Sequence, residues 1–234
     1  MDDRPLIGHN YSIRILIVRI LSLVFLLLIS CSGYKIQNQS NPFKQEGINS
    51  IAVPMFINKT NLQSVSNTYS QAVISMLSKY RGLKVSSTNI YSDDAVLIGI
   101  IEPIGQAHEA IKTKETDLLS KNRVEAIGAR SAFTLETIKR LSIRVRVLVL
   151  KKPKKEEIDF LINYFDFKKE MFPRSVFSRT FDLNADFSVD NTIGDNTTSA
   201  PVRGTRNKSI EQYSVENLAN TFAKNLKGII DNAF

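Results

Sequence analysis

The stretch Leu141–Leu150, LSIRVRVLVL, constrains the fold more than any other part of the chain. Leu141, Ile143, Val145, Val147 and Val149 alternate with Ser142, Arg144, Arg146, Leu148 and Leu150. Successive side chains of a strand point to opposite faces, so one face here is wholly apolar and the other turns from polar to apolar along its length. The apolar face needs a cover, and two segments with helical spacing supply it. Tyr69, Ala72, Val73, Met76, Leu77 and Tyr80 share one side of a helix expected over Ser66–Arg81, with Ser66 or Asn67 as cap and Gly82 closing it. Val215, Leu218, Ala219, Phe222, Leu226, Ile229 and Ile230 form the apolar stripe of a closing helix.

Other segments add strands. Ile48–Ile57 reads as one, with Pro54 marking an edge or a bulge. Leu83–Val85 starts a second, and Ala95–Ile101 is a third, expected to run past Gly105 into an extended hairpin or irregular excursion. Ser175–Phe187 holds another strand, Phe160–Phe167 fits a strand or a short helix, and Asp190–Lys208 reads as a polar loop. The expectation is an α+β two-layer sandwich, with two amphipathic helices packed on one face of a mixed four-stranded or slightly larger sheet.

The N-terminal stretch has a separate logic. Arg14 and Arg19 precede the apolar run Ile20–Ile29, which ends at Ser30 and Cys31. A basic flank, an apolar core of about ten residues and small residues at its end describe a secretory signal. The run is shorter than the roughly 20 residues of a membrane-spanning helix. Cys31 is the only cysteine, so the chain forms no internal disulfide. Leu28-Ile29-Ser30-Cys31 resembles the lipobox of bacterial lipoproteins. That resemblance implies cleavage before Cys31, a diacylglyceryl thioether on its sulfur and several acyl chains as a membrane anchor, where one chain alone binds marginally. Ser32, rather than an aspartate, follows the cysteine, which in such proteins implies the outer membrane. The alternative is an uncleaved signal anchor with an incidental cysteine. The expected organisation is a signal peptide over 1–30, a lipidated tether over 31–47, and one domain over 48–234 with loop excursions at 106–140 and 183–208.

Lys and Arg number 31 against 23 Asp and Glu, a formal charge of +8. Residues 1–30 carry Arg4, Arg14 and Arg19 against Asp2 and Asp3, so the surplus belongs to the rest of the chain. It points to anionic partners, and the export signal argues against nucleic acid. Catalysis finds little support. His108 is the one histidine after the signal, and neither a Gly-x-Ser-x-Gly elbow nor a phosphate-cradling glycine loop is present. A zinc site lacks Cys and His ligands. Asp93-Asp94 and Glu156-Glu157 are chain neighbours and read as solvated turns. The expectation is a non-enzymatic protein with no cofactor or metal beyond the lipid on Cys31.

Three stretches are similar to the LptE-type lipopolysaccharide-assembly lipoproteins. Cys31-Ser32-Gly33-Tyr34 resembles their Cys-Gly-Tyr opening with one inserted residue. Ile51-Ala52-Val53-Pro54-Met55-Phe56-Ile57-Asn58-Lys59-Thr60 resembles their Ile-Ala-Val-Pro-x-Phe-x-Asn-x-Thr, and Asp94–Ile101 their Ala-Asp-Ala-Val-Leu-x-Gly-x-Ile. The resemblance implies a protein seated in the lumen of the LptD β-barrel of the outer membrane, which helps that barrel assemble, plugs it and assists lipopolysaccharide delivery to the cell surface. Arg144 and Arg146 share a strand face, and Lys151, Lys152, Lys154 and Lys155 extend the positive field around Pro153. These six are the expected lipopolysaccharide or barrel contacts, since guanidinium and ammonium groups form charge-assisted hydrogen bonds to phosphates and carboxylates. The plain alternative for them is a solvated face and a soluble turn. A lipoprotein accessory subunit of another envelope secretion or flagellar-associated machine would share the anchor and the opening strand.

Overall fold

The alternation of Leu141–Leu150 becomes the middle of an 18-residue strand, β6 (Thr134–Lys151), in a computed structural model that describes residues 40–88, 90–105, 109–118, 134–163, 174–190 and 200–234. Among the described residues, six more strands join it in a mixed seven-stranded sheet. They are β1 (Ser50–Ala52), β2 (Ile57–Asn58), β3 (Lys84–Ser86), β4 (Ala95–Pro103), β5 (Ile111–Leu118) and β7 (Ser175–Ser188). β4 and β5 lie end to end, antiparallel, along one edge of β6, opposite Ile143–Lys151 and Thr134–Leu141. β7 runs antiparallel to β6 from Ile138 to Leu150. β1 and β2 lie parallel to β4, and β3 parallel to β1.

Two helices, α1 (Val65–Leu77) and α3 (Ala200–Ala233), cover one face. Leu141, Ile143, Val145, Val147 and Val149 are all fully buried there, in one cluster with Tyr69, Val73, Leu77, Leu218, Phe222 and Leu226. Phe222 is the hub, its ring centroid 5.5 Å from Tyr69, 6.3 Å from Phe56 and 5.1 Å from Phe181. Burying side chains of this size stabilises by about 1.5–3 kcal/mol each. A third helix, α2 (Lys155–Asn163), covers only one end of the opposite face. Its Ile158 and Leu161 pack on Ala52, Val96, Ile98, Leu148 and Leu150. The polar-to-apolar change on the second face of β6 follows from this: Leu148 and Leu150 lie under α2, and Arg144 and Arg146 lie beyond it.

The fold is α+β as expected, and it departs from the sequence reading at several boundaries. The opening strand splits in two. β1 and β2 both pair with β4, but Val53–Phe56 lies opposite Leu97–Gly99, one residue more, so the strand bulges where Pro54 has no N–H to give. Phe56 N–H leaves the ladder and donates to Ser70 Oγ of α1 at 2.8 Å. Its ring then lies over Gly99 so closely that a Cβ at residue 99 would overlap it. α1 begins at Val65 and ends at Leu77, short of Arg81. Tyr80 stays buried beyond the helix end, its hydroxyl donating to Asp231 of α3.

Residues 40–47, expected as tether, belong to the folded part. Ser40 bridges Arg81, the Asn41 amide donates to Ile48 C=O at 2.7 Å, and Phe43 is fully buried. A buried side-chain amide does this work, which is why the polar composition reads as tether. β4 stops at Pro103, and Gly105, at φ +116, turns the chain. In the expected excursion 106–140, Ile111–Leu118 and Thr134–Arg140 pair as antiparallel strands, in keeping with the extended hairpin of the two alternatives. In the other, 183–208, Leu183–Ser188 finishes β7 and Ala200–Lys208 opens α3, so the polar loop assigned to Asp190–Lys208 is helical in its second half. Those first helical turns are largely exposed, and without an apolar stripe they resemble loop. Lys155–Asn163 settles its ambiguous stretch as helix up to residue 163. Cys31, His108 and the segments 119–133, 164–173 and 191–199 lie outside the described residues.

Candidate functional site

The sheet face not covered by α1 and α3 is polar from the end of α2 to the β5–β6 hairpin. β6 directs Arg140, Ser142, Arg144 and Arg146 onto it, and β7 directs Asp182, Asn184 and Asp186, because β7 alternates with Phe177, Phe181, Leu183 and Phe187 pointing into the core. The register sets Arg144 opposite Asp182 and Arg140 opposite Asp186. Arg144 donates from Nε and Nη2 to the two Asp182 oxygens at 2.7 and 2.9 Å. Arg140 holds Asp186 in the same fork at 2.7 and 3.0 Å, and Lys114 Nζ of β5 adds a third contact at 2.7 Å. Arg146 and Lys59 both reach Glu102 at 3.0 Å. The Arg140 and Lys114 hydrogen bonds hold the Asp186 carboxyl far below the usual carboxylate range, and Arg144 lowers that of Asp182. Asp182 and Asp186 in turn raise the guanidinium values of Arg144 and Arg140.

The structure therefore brings Arg144 and Arg146 to one face, as expected, and pairs each with a carboxylate, Asp182 for Arg144 and Glu102, shared with Lys59, for Arg146. Sequence reasoning did not find Asp182, Asp186 and Glu102. Asp182-x-Asn184-x-Asp186 has strand spacing, but the pairing is set by the β6–β7 register, which no local pattern displays.

The four lysines separate. Lys154 and Lys155 are exposed at the start of α2, where the Lys154 N–H donates to Glu157 Oε2 at 2.7 Å. Lys151 and Lys152 enter a cleft of about 610 Å³ together with Glu46, Arg174, Ser175 and Val176. The cleft forms where β6 ends and β7 begins. Lys151 N–H donates to Arg174 C=O at 3.1 Å, Lys152 N–H to Asp94 C=O at 2.8 Å, and Arg174 Nη1 to Lys152 C=O at 2.8 Å. Lys152 holds φ at +42, a left-handed conformation uncommon outside glycine, so the two lysines turn sharply against β7. Lys151 Nζ lies beside Gly47. Among the described residues no carboxylate comes within ion-pair distance of Lys151 or Lys152, and Arg174 is 3.9 Å from Glu157. The Ser175 hydroxyl oxygen is buried with no hydrogen-bond partner.

The acidic pairs take structural places. Asp94 accepts the Asn49 and Ser50 N–H groups at 3.0 and 3.1 Å, the Asn49 bond being the main reason its carboxyl is lowered, and Asp93 accepts from Ser86 Oγ. Glu157 caps α2.

No family model and no curated protein matches this chain. Its structure is similar to several solved ones. The lipoprotein GNA1162 from Neisseria meningitidis matches with a TM-score of 0.33 at 10% identity, over 70% of this chain and 96% of that one. The hypothetical protein CT253 from Chlamydia trachomatis matches with a TM-score of 0.35 at 9% identity, over 78% and 98%. The rare lipoprotein B from Shewanella oneidensis matches with a TM-score of 0.32 at 8% identity, over 77% and 97%. Likeness at this level assigns neither family nor activity to the chain.

Proposed function

We propose that this chain is a lipid-anchored envelope protein of the LptE type, which seats in the lumen of an LptD-type outer-membrane β-barrel, helps it assemble and plugs it, and assists lipopolysaccharide delivery. The observation that carries the reading is the two-sided sheet: helices take one face, and the other offers an ion-paired polar strip from Lys114 and Asp186 to Arg146 and Glu102. The interior of an outer-membrane barrel is polar. A face whose charges are already paired docks against it without stranding a bare charge at the interface. Two further facts support the reading. The signal-like run ends at Cys31, and the two internal stretches that resemble the family interlock, the Phe56 ring filling the space above Gly99. On this reading Arg144 and Arg146 with their carboxylates contact the barrel, and Lys151, Lys152, Lys154 and Lys155 face the lipopolysaccharide.

The test is recovery of the full-length chain from detergent-solubilised outer membranes, with mass identification of what accompanies it. The expected companion is one large β-barrel in equimolar amount. Recovery alone, or with the components of another secretion machine, rejects the proposal.

A further inference from the structure

We propose that the cleft between the end of β6 and the start of β7 binds a phosphate monoester, held by Lys151, Lys152 and Arg174. Among the described residues, three cations and a single carboxylate, Glu46, line the cleft. Counted with Glu157, 3.9 Å from Arg174, the local charge is still positive and attracts a phosphate group. Geometry adds to charge. The Lys151 N–H bond to Arg174 C=O and the Arg174 guanidinium bond to Lys152 C=O hold the three residues around one opening. Arg174 spends one guanidinium nitrogen on Lys152 C=O and keeps further N–H donors for a ligand. The left-handed turn at Lys152 is a local cost of the kind found at ligand sites.

The natural ligand rests on the proposed function, which supplies a glycolipid with phosphate monoesters on its sugars. The cleft itself does not depend on that reading. The experiment titrates the purified chain with glucose 1-phosphate, inorganic phosphate and lipopolysaccharide, and follows heat. Lys151→Gln removes a charge whose side chain makes no bond among the described residues, and it weakens glucose 1-phosphate binding at least about tenfold. Glu46→Gln removes the opposing charge and tightens binding. Lys224→Gln, an exposed lysine of α3, leaves it unchanged. Opposite signs at residues 151 and 46, with unaltered thermal midpoints, are what a loss of fold does not produce. If the wild type binds none of the three probes, or if Lys151→Gln and Glu46→Gln shift affinity no more than Lys224→Gln, the site is overturned. Glucose 1-phosphate binding without lipopolysaccharide binding or a barrel partner leaves the cleft standing and rejects the envelope role. Barrel recovery without binding of any probe does the reverse.

Discussion

Phe56 reaches its place because Pro54 interrupts the strand before it, Ser70 receives its N–H, and Gly99 leaves the space its ring occupies. Gly99→Ala forces that ring off the sheet and out of its edge contact with Phe222. The expected cost is about 1–3 kcal/mol, read by chemical denaturation. Phe56→Leu in the Gly99→Ala background recovers part of it, because a smaller side chain tolerates the methyl, and the two changes are non-additive. An unaltered midpoint for Gly99→Ala contradicts this packing. The glycine and the proline were both visible in the sequence. Their partnership was not, since it depends on the one-residue bulge that sets β2 against β4. Arg174 and Ser175 were missed for a similar reason: their neighbours Lys151 and Lys152 are far away along the chain and meet them only through the β6–β7 pairing.

At the scale of elements, β6 and β7 form a ladder that is apolar towards the helices and zwitterionic on the other side. Each exposed pair on it contributes little, because solvent screens it. Their protonation is still measurable. Asp182 and Asp186, with Glu136 beside Lys139 and Asp94 on the Asn49 N–H, titrate below the ordinary carboxylate range in the folded chain. Below about pH 4, the usual aspartate value, the unfolded chain therefore binds more protons than the folded one. The stability these groups contribute is present above that pH and is lost as pH falls through their folded values. The urea midpoint falls accordingly between about pH 5 and pH 2.5, and Asp182→Asn with Asp186→Asn gives a shallower decline. Identical slopes for the two proteins refute the linkage. In α3, Phe222→Ala removes the hub of four aromatic rings and costs about 3–5 kcal/mol, whereas Val202→Ala on the exposed first turns stays within about 0.5 kcal/mol. The same contrast explains what the sequence revealed of this helix. Its stripe from Val215 to Ile230 is buried and was readable, and its polar start carries no periodicity to read.

For the whole molecule, fold class followed from three periodic segments, because a strand with one apolar face and two striped helices admit few arrangements. The third helix and its small second core hid in two leucines, Leu148 and Leu150, at the end of a face that begins with arginines. The proposed function joins a lipid anchor at Cys31 to a sheet whose second face carries a polar, ion-paired strip suited to a barrel lumen. Native mass spectrometry of the chain drawn intact from outer membranes examines both parts at once. The account predicts a one-to-one assembly with a large β-barrel, in which this chain begins at an acylated Cys31. A chain that flies alone, with residues 1–30 attached and a free Cys31 thiol, contradicts it.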